Sequence, residues 1–281
     1  MNNNTYGKVY LVGAGPGAAD LITVRGAKLL AQADIVFHDA LVEPQLLELC
    51  PQAVKLAVGK RCGKLSSAQH FINKRLIDAA KQYNTIVRLK GGDPMLFGRA
   101  DEELQALKNE GIAVEVVPGI TAALAAAASL QQSLTLRGIS RSVAFITLAQ
   151  ASENAPTALI SSPLQDPNAD TLVYYMGRKD ASNIAKRLIF TRPNLQGDTP
   201  VLILEAVSTP RERHCSSTLE ELAKGMADQW FDPSSPALIM IGKALQAQSP
   251  AMAKEALQVP SPDVDNGLQN SPILADSKRR A

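Results

Sequence analysis

Short β-branched runs alternate with helical patterns along most of this chain, and that alternation leaves few folds open. In the first half, residues 8–12, 35–37, 54–58, 85–89 and 114–117 read as strands, and 27–33, 44–49, 68–81 and 102–110 read as helices. Strands separated by whole helices do not pair as hairpins. They form βαβ units and a mostly parallel sheet, which places the chain in the α/β class. Over 68–81, Phe71, Ile72, Arg75, Leu76 and Ala79 recur at three-and-four spacing, so one stripe is expected to cover the sheet. Pro118-Gly119 breaks the pattern, and a small-residue helix over 121–130 follows as a joint between domains. Beyond it, 143–147, 171–175, 200–204 and 236–241 read as strands, and 181–189 and 219–229 as helices. The stretch 151–170, rich in Ser, Asn, Pro and Asp, reads as a loop. The expectation is two α/β domains with mostly parallel sheets, over 7–117 and 118–246. A polar tail over 247–281 is expected to be disordered.

Charge and cysteine usage exclude several functions. A net charge of +2, with no basic tract interleaved with aromatics, does not fit a nucleic-acid binder. Cys50, Cys62 and Cys215 are too few and too widely spaced for a disulfide framework or a zinc pattern. His214-Cys215 lacks two further convergent ligands, so no metal is expected. The N-terminus carries no basic-then-apolar leader, and the apolar run over 120–130 falls far short of the ~20 residues that span a bilayer. A cytoplasmic protein without membrane contact is expected.

The segment Arg88-Leu-Lys-Gly-Gly-Asp-Pro-Met-Leu-Phe-Gly-Arg99 carries the strongest site signal. Two glycines without Cβ let the backbone approach a ligand, Asp93 adds a charge there, and Pro94 fixes the turn. Gly13-Ala-Gly-Pro-Gly17 with Ala18 matches the loose G-x-G-x-x-A dinucleotide fingerprint, with Asp39 ending the next strand. Pro16 removes an N–H that a pyrophosphate would use and Asp20 brings a negative charge close, so the dinucleotide reading is the weaker one. In an open α/β sheet the loops after successive strands share the carboxyl edge, where ligands bind. They bring Pro16, Asp39, Lys60-Arg61, Gly91-Gly92-Asp93 with Arg99, and Thr121-Ala122 to one side. Lys60, Arg61, Arg99, Arg137 and Arg141 suit an anionic ligand with several carboxylates. Met176, ending a second-half strand before Gly177, reads equally as core filler or as a surface for adenine or ribose.

Several motifs stand together in order: Val12-Gly-Ala-Gly-Pro-Gly17, Asp39-Ala-Leu-Val42, Val58-Gly-Lys-Arg61, Arg88 to Pro94 with Phe97-Gly-Arg99, Val117-Pro-Gly-Ile-Thr-Ala122, Tyr175-Met-Gly177 and Pro236-Ala-Leu238. Over about residues 8–246 the chain resembles the uroporphyrinogen-III C-methyltransferases of the tetrapyrrole (corrin/porphyrin) methylase superfamily. The resemblance implies two α/β domains with the cofactor in the cleft between them, as a homodimer. It implies S-adenosyl-L-methionine held by Pro16, Gly91, Gly92, Asp93, Leu96, Thr121, Ala122, Met176, Ala206 and Ala237. Two methyl groups would pass to C2 and C7 of uroporphyrinogen III, giving precorrin-2 and S-adenosyl-L-homocysteine for the sirohaem, cobalamin or haem d1 branch. By the same resemblance Asp39 is the proton acceptor, Lys60 the donor and Arg99 a further catalytic candidate. Arg61, Arg99, Glu102 and Arg137 would line the substrate cavity. Oxidation and iron insertion are expected to fall to other proteins.

The chain also departs from the family pattern. Ala100-Asp101 follows Arg99 where the family commonly has glycine, Leu136 stands for a histidine, Leu148-Ala149-Gln150 for a Gly-His pair, and Ala206 for a glycine. These departures leave open a sister methylase with another target, or a paralogue that binds tetrapyrrole or cofactor without turnover.

Overall fold

The computed structural model describes residues 6–58, 65–148 and 166–245. Lys60, Arg61, Cys62, most of the 151–170 loop and the 247–281 tail lie outside the described residues.

The first sheet is parallel throughout. β1 (Lys8–Gly13), β2 (Ile35–His38), β3 (Val54–Ala57), β4 (Thr85–Lys90) and β5 (Val114–Val117) stand in the order β3-β2-β4-β1-β5. Alternation along the strands sends residues to two apolar layers. Val12, Val36, Val87 and Leu89 meet Leu30 of α1 (Val24–Ala31) and Leu46. Val9, Leu11, Ile35, Phe37 and Ile86 meet α2 (Leu65–Ala80) and α3 (Ala100–Asn109) through Leu76, Ala79 and Leu107. α1 starts three residues earlier than the periodicity predicts, because the Thr23 hydroxyl accepts the Gly26 N–H as an N-cap. Residues 44–49 form a 3₁₀ helix rather than an α-helix. The α2 stripe also needs one correction. Ile72, Leu76 and Ala79 are buried, but Phe71 is half exposed, with the Arg75 guanidinium 4.8 Å over its ring.

The second half is α/β as expected, but its sheet is mixed. β6 (Val143–Thr147), β7 (Thr171–Tyr175), β8 (Pro200–Glu205), β9 (Arg213–Thr218) and β10 (Ala237–Gly242) stand in the order β6-β7-β10-β8-β9, and only β6 and β7 pair in parallel. A short loop joins β8 to β9, and neighbours joined without a crossover helix run antiparallel. The sequence pattern misses β9 because this edge strand offers one apolar residue, Cys215, among polar ones. α4 (Ala122–Ser129) is the joint helix that follows the first sheet and precedes the second along the chain, and α5 (Ala181–Thr191) covers the second core with Ile184 and Leu188. α6 (Leu219–Ala223) opens on a capping box of Thr218 and Glu221. It ends six residues before the predicted boundary, where Gly225 takes φ +79°. Cys50 and Cys215 are free thiols whose pKa burial pushes up.

Gly13, Gly92 and Gly119 meet at the carboxyl edge, where β1, β4 and β5 end. A Cβ on Gly119 would lie 2.3 Å from the Gly92 carbonyl oxygen, and one on Gly13 would lie 2.5 Å from Gly119 Cα. Both obstacles are backbone and cannot rotate away. Gly119→Ala is therefore expected to destabilise the fold by about 1–3 kcal/mol. The check is a lower urea midpoint at unchanged slope, and an unchanged midpoint would mean that the three strand ends can spread.

Candidate active site

A cavity of about 480 Å³ opens at this edge, between the two halves. The first half lines it with Gly15, Pro16, Gly91, Gly92, Asp93, Leu96 and Phe97, the joint with Thr121 and Ala122, and the second half with Tyr175, Met176, Ala206 and Ala237. All ten residues that the motifs assign to the cofactor line this one cavity.

The floor is bare backbone. Gly92 donates its N–H to the Gly15 carbonyl at 2.7 Å, and Gly15 donates to the Gly92 carbonyl at 3.2 Å. This bridge occupies the peptide groups of the glycine-rich loop that a dinucleotide phosphate would need. Gly92 has φ +68°, and a Cβ built on it meets no atom within 4 Å; one on Gly91 meets only Leu41, at 3.7 Å. Side chains at these positions would stand in the cavity. Asp93 braces the floor from one side: its carboxylate accepts the Gly119 N–H at 2.9 Å and the Met95 N–H at 2.8 Å. Each oxygen keeps a further lone pair, so the group ties β4 to the joint and still faces the cavity.

The sequence reading misses the aromatic wall. The Tyr175 hydroxyl lies 2.6 Å from Thr121 Oγ1 and accepts the Ala123 N–H at 3.2 Å, serving α4 as a cap that Thr121 itself does not supply. Burial pushes the Tyr175 phenol pKa up. The Phe97 ring, from the first half, sits 5.1 Å from the Tyr175 ring at 60°, a favourable tilted pair. The available signal was the position of both residues inside recognised motifs. Phe97, Met176 and Ala206 also hold left-handed backbone, with φ of 54°, 56° and 48°. Non-glycine residues in that region are strained, and here three of them border one cavity.

Asp39 follows β2 beside this floor, next to the lining residues Ala40 and Leu41. Arg88 Nη2 donates to its Oδ1 at 2.5 Å, and the Gly91 N–H reaches its Oδ2 at 3.4 Å. Arg88 Nε also donates to Glu103 Oε1 at 3.1 Å, and Lys90 Nζ donates to both Glu103 oxygens at 3.0 Å. Gln69 adds a bond to Glu103 at 3.3 Å, and Glu103 is fully buried. Burial acts to lower the Arg88 pKa, but the Asp39 and Glu103 carboxylates outweigh it and leave the guanidinium raised. Burial, aided by the Arg88 charge, holds the Lys90 ammonium below its ordinary value.

The remaining assigned residues lie apart from the cavity lining. Arg99 and Glu102 form an exposed two-pronged pair at 2.6 and 2.7 Å at the start of α3. Arg137 is exposed on the turn closed by the Leu136–Ser140 bridge. Leu148, the first residue of the stretch that stands for the family's Gly-His pair, packs against the second core.

The sequence model of the tetrapyrrole (corrin/porphyrin) methylases matches residues 8–223, a span holding every one of these cavity residues except Ala237. The chain belongs to this family. It is 41% identical over 237 residues to a uroporphyrinogen-III C-methyltransferase of Pseudomonas aeruginosa, across 84% of this chain and 94% of that one. It is 43% identical over 251 residues to a siroheme synthase of Zymomonas mobilis, across 88% of this chain and 51% of the synthase. The chain thus spans about half the length of the siroheme synthases it matches. A crystal structure of a Thermus thermophilus uroporphyrin-III C-methyl transferase complexed with S-adenyl homocysteine matches with a TM-score of 0.70 at 37% identity, over 85% of this chain and 98% of that one.

Two outcomes follow for this tetrapyrrole methylase. Asp93→Ala strips partners from two backbone N–H groups and is expected to cost about 1–3 kcal/mol, with thermal stability and cofactor affinity falling together. Calorimetry on a variant with unchanged melting would separate a ligand contact from this bracing. Ala206→Gly relieves left-handed strain and, after the entropy that glycine adds to the unfolded chain, is expected to raise stability by up to about 1 kcal/mol. A lower melting temperature would show that the Ala206 methyl contributes more by packing than its backbone costs.

Proposed function

We propose that the chain is an S-adenosyl-L-methionine-dependent C-methyltransferase that methylates uroporphyrinogen III at C2 and C7, releasing precorrin-2 and S-adenosyl-L-homocysteine. One observation carries the reading: a single cavity gathers all ten assigned cofactor residues, in a chain that covers 94% of a relative named for this reaction.

The cavity fits the co-substrate. Its volume lies in the range of small-molecule sites. Bare glycines admit a ligand against the backbone, and Pro16, Met176, Ala206 and Ala237 offer apolar surface for an adenosyl group. Bound there, S-adenosyl-L-methionine supplies a methyl on a sulfonium, electrophilic without a metal. The protein's work is then alignment and exclusion of water. Gly91, Gly92 and Asp93 set the floor, and the Phe97–Tyr175 wall closes one side. Asp39 receives the proton that leaves the methylated ring system, and Lys60, outside the described residues, is the assigned donor. Arg61, Arg99, Glu102 and Arg137 are assigned to the acetate and propionate groups of the substrate. Arginine stays cationic at any relevant pH, so Arg99 serves as a clamp rather than a base.

On this reading 7–117 and 118–246 are two domains sharing the site, and the working unit is a homodimer in the cytoplasm. Among the described residues no helix is long and apolar enough to cross a membrane. The test is an anaerobic assay with uroporphyrinogen III and methyl-labelled S-adenosyl-L-methionine. The expected product carries two labels per macrocycle. Label-free macrocycle from a folded protein that binds the cofactor would sink the proposal.

A further inference from the structure

Arg88 is buried beneath the site, and neither the fold nor the chemistry described so far gives it a task. It lies on the central strand of the first sheet with its side chain 3% exposed. All three of its nitrogens are engaged: Nε with Glu103, Nη1 with the Leu89 carbonyl at 3.1 Å, and Nη2 with Asp39. Glu103 alone would match the charge of a buried arginine, but Glu103 is also held by Lys90 and Gln69. The result is an alternating row of carboxylate, guanidinium, carboxylate and ammonium. Its inner end is closed to solvent, and its outer end, the Asp39 side chain, is 31% exposed beside Gly91 of the cavity floor. The other described bond to the Asp39 carboxylate is the Gly91 N–H at 3.4 Å, too long to fix its direction. The guanidinium fork, held rigid by Glu103, is what sets the direction of Asp39.

We infer that Arg88 is a positioning residue for methyl transfer: anchored on Glu103 and Lys90, it holds the Asp39 carboxylate in place at the cavity floor. The inference rests on the proposed role of Asp39 as proton acceptor. A lysine at position 88 keeps the charge but gathers its donors on one nitrogen, so it does not reproduce the separate Nε and Nη2 contacts to Glu103 and Asp39.

The experiment uses the full chain with uroporphyrinogen III and labelled S-adenosyl-L-methionine. Arg88→Lys is expected to lower kcat by about a hundredfold, the scale of a misplaced reacting group, with cofactor affinity by calorimetry unchanged in protein that stays folded at the assay temperature, although its melting temperature falls with the buried contacts it loses. Glu103→Gln keeps the shape of the anchor and removes its charge. A smaller fall in kcat, again at unchanged cofactor affinity, is expected, and this variant serves where Arg88→Lys does not fold. In single-turnover label transfer, Arg88→Lys in an Asp39→Asn background should be no slower than Asp39→Asn alone. An unchanged kcat in the single variants, a loss of cofactor affinity together with kcat in protein that is folded at the assay temperature, or an equal loss in both backgrounds would each overturn the inference. Full activity in Asp39→Asn would overturn the Asp39 reading and this inference with it. A slow Asp39→Asn beside a normal Arg88→Lys would overturn this inference alone.

Discussion

Three strand ends of one parallel sheet close on each other with no side chain between them, and the cavity is built on that closeness. Gly13, Gly92 and Gly119 belong to β1, β4 and β5 or the loops they enter. Each glycine costs about 0.5–1 kcal/mol in backbone entropy relative to alanine. The bonds that the approach permits offset this at roughly 1 kcal/mol each: Gly15 with Gly92 in both directions, Ala14 N–H to Lys90, and Gly119 N–H to Asp93. The joint helix then begins directly above the floor, and Tyr175 can reach Thr121 and Ala123 from the second sheet. Spread the three ends by one methyl group, and floor, joint and wall lose their register together.

The charge on β4 is the second constraint. A central strand of a parallel sheet is covered on both faces and ordinarily reads as an apolar run. Thr85–Lys90 keeps that rule with Ile86, Val87 and Leu89 and breaks it with Arg88 and Lys90. Buried pairs of this kind give little net stability. Well-packed apolar residues often do as well or better, while loss of a single partner costs about 3–5 kcal/mol. Stability therefore does not explain the row. On the proposed reading its outer end at Asp39, beside the bare floor, gives a reason in chemistry: a carboxylate that takes a proton from the ligand is held by groups that cannot swing away.

Much of this was legible in the chain. Alternation of strand and helix periods gave the first sheet strand by strand, and the ten residues that the resemblance assigns to the cofactor all line the one cavity. What escaped depended on tertiary partners. β9 has no apolar period because it is an edge strand, and the direction of the second-half strands is set by a pairing order that periodicity does not encode. Helix rotation hid the ionic row. Residues 102 and 103 stand about 100° apart on α3. Glu102 therefore meets Arg99 at the surface, while Glu103 turns beneath the sheet to Arg88 and Lys90. The tie from Asp93 to Gly119 escaped as well, since its partner donates from the backbone of a distant segment and leaves no mark in side-chain chemistry.

The two halves bring different things to the cleft. The first supplies bare backbone and the charges behind it, Gly91, Gly92, Asp93, and Asp39 on its arginine, with the Phe97 ring on left-handed backbone at one side. The second supplies side chains on strained backbone, with Met176 and Ala206 both left-handed and Tyr175 locked to the joint. The chain departs from its family in both halves, with Ala100-Asp101 at the start of α3 in the first and Leu136, Leu148 and Ala206 in the second, where Leu148 packs into the core and Ala206 keeps a left-handed backbone. A contact surface tolerates such exchanges because apolar area can be supplied by several side chains. The floor and its ionic row do not, because each member there is fixed by a backbone approach or by a charge that has one partner geometry.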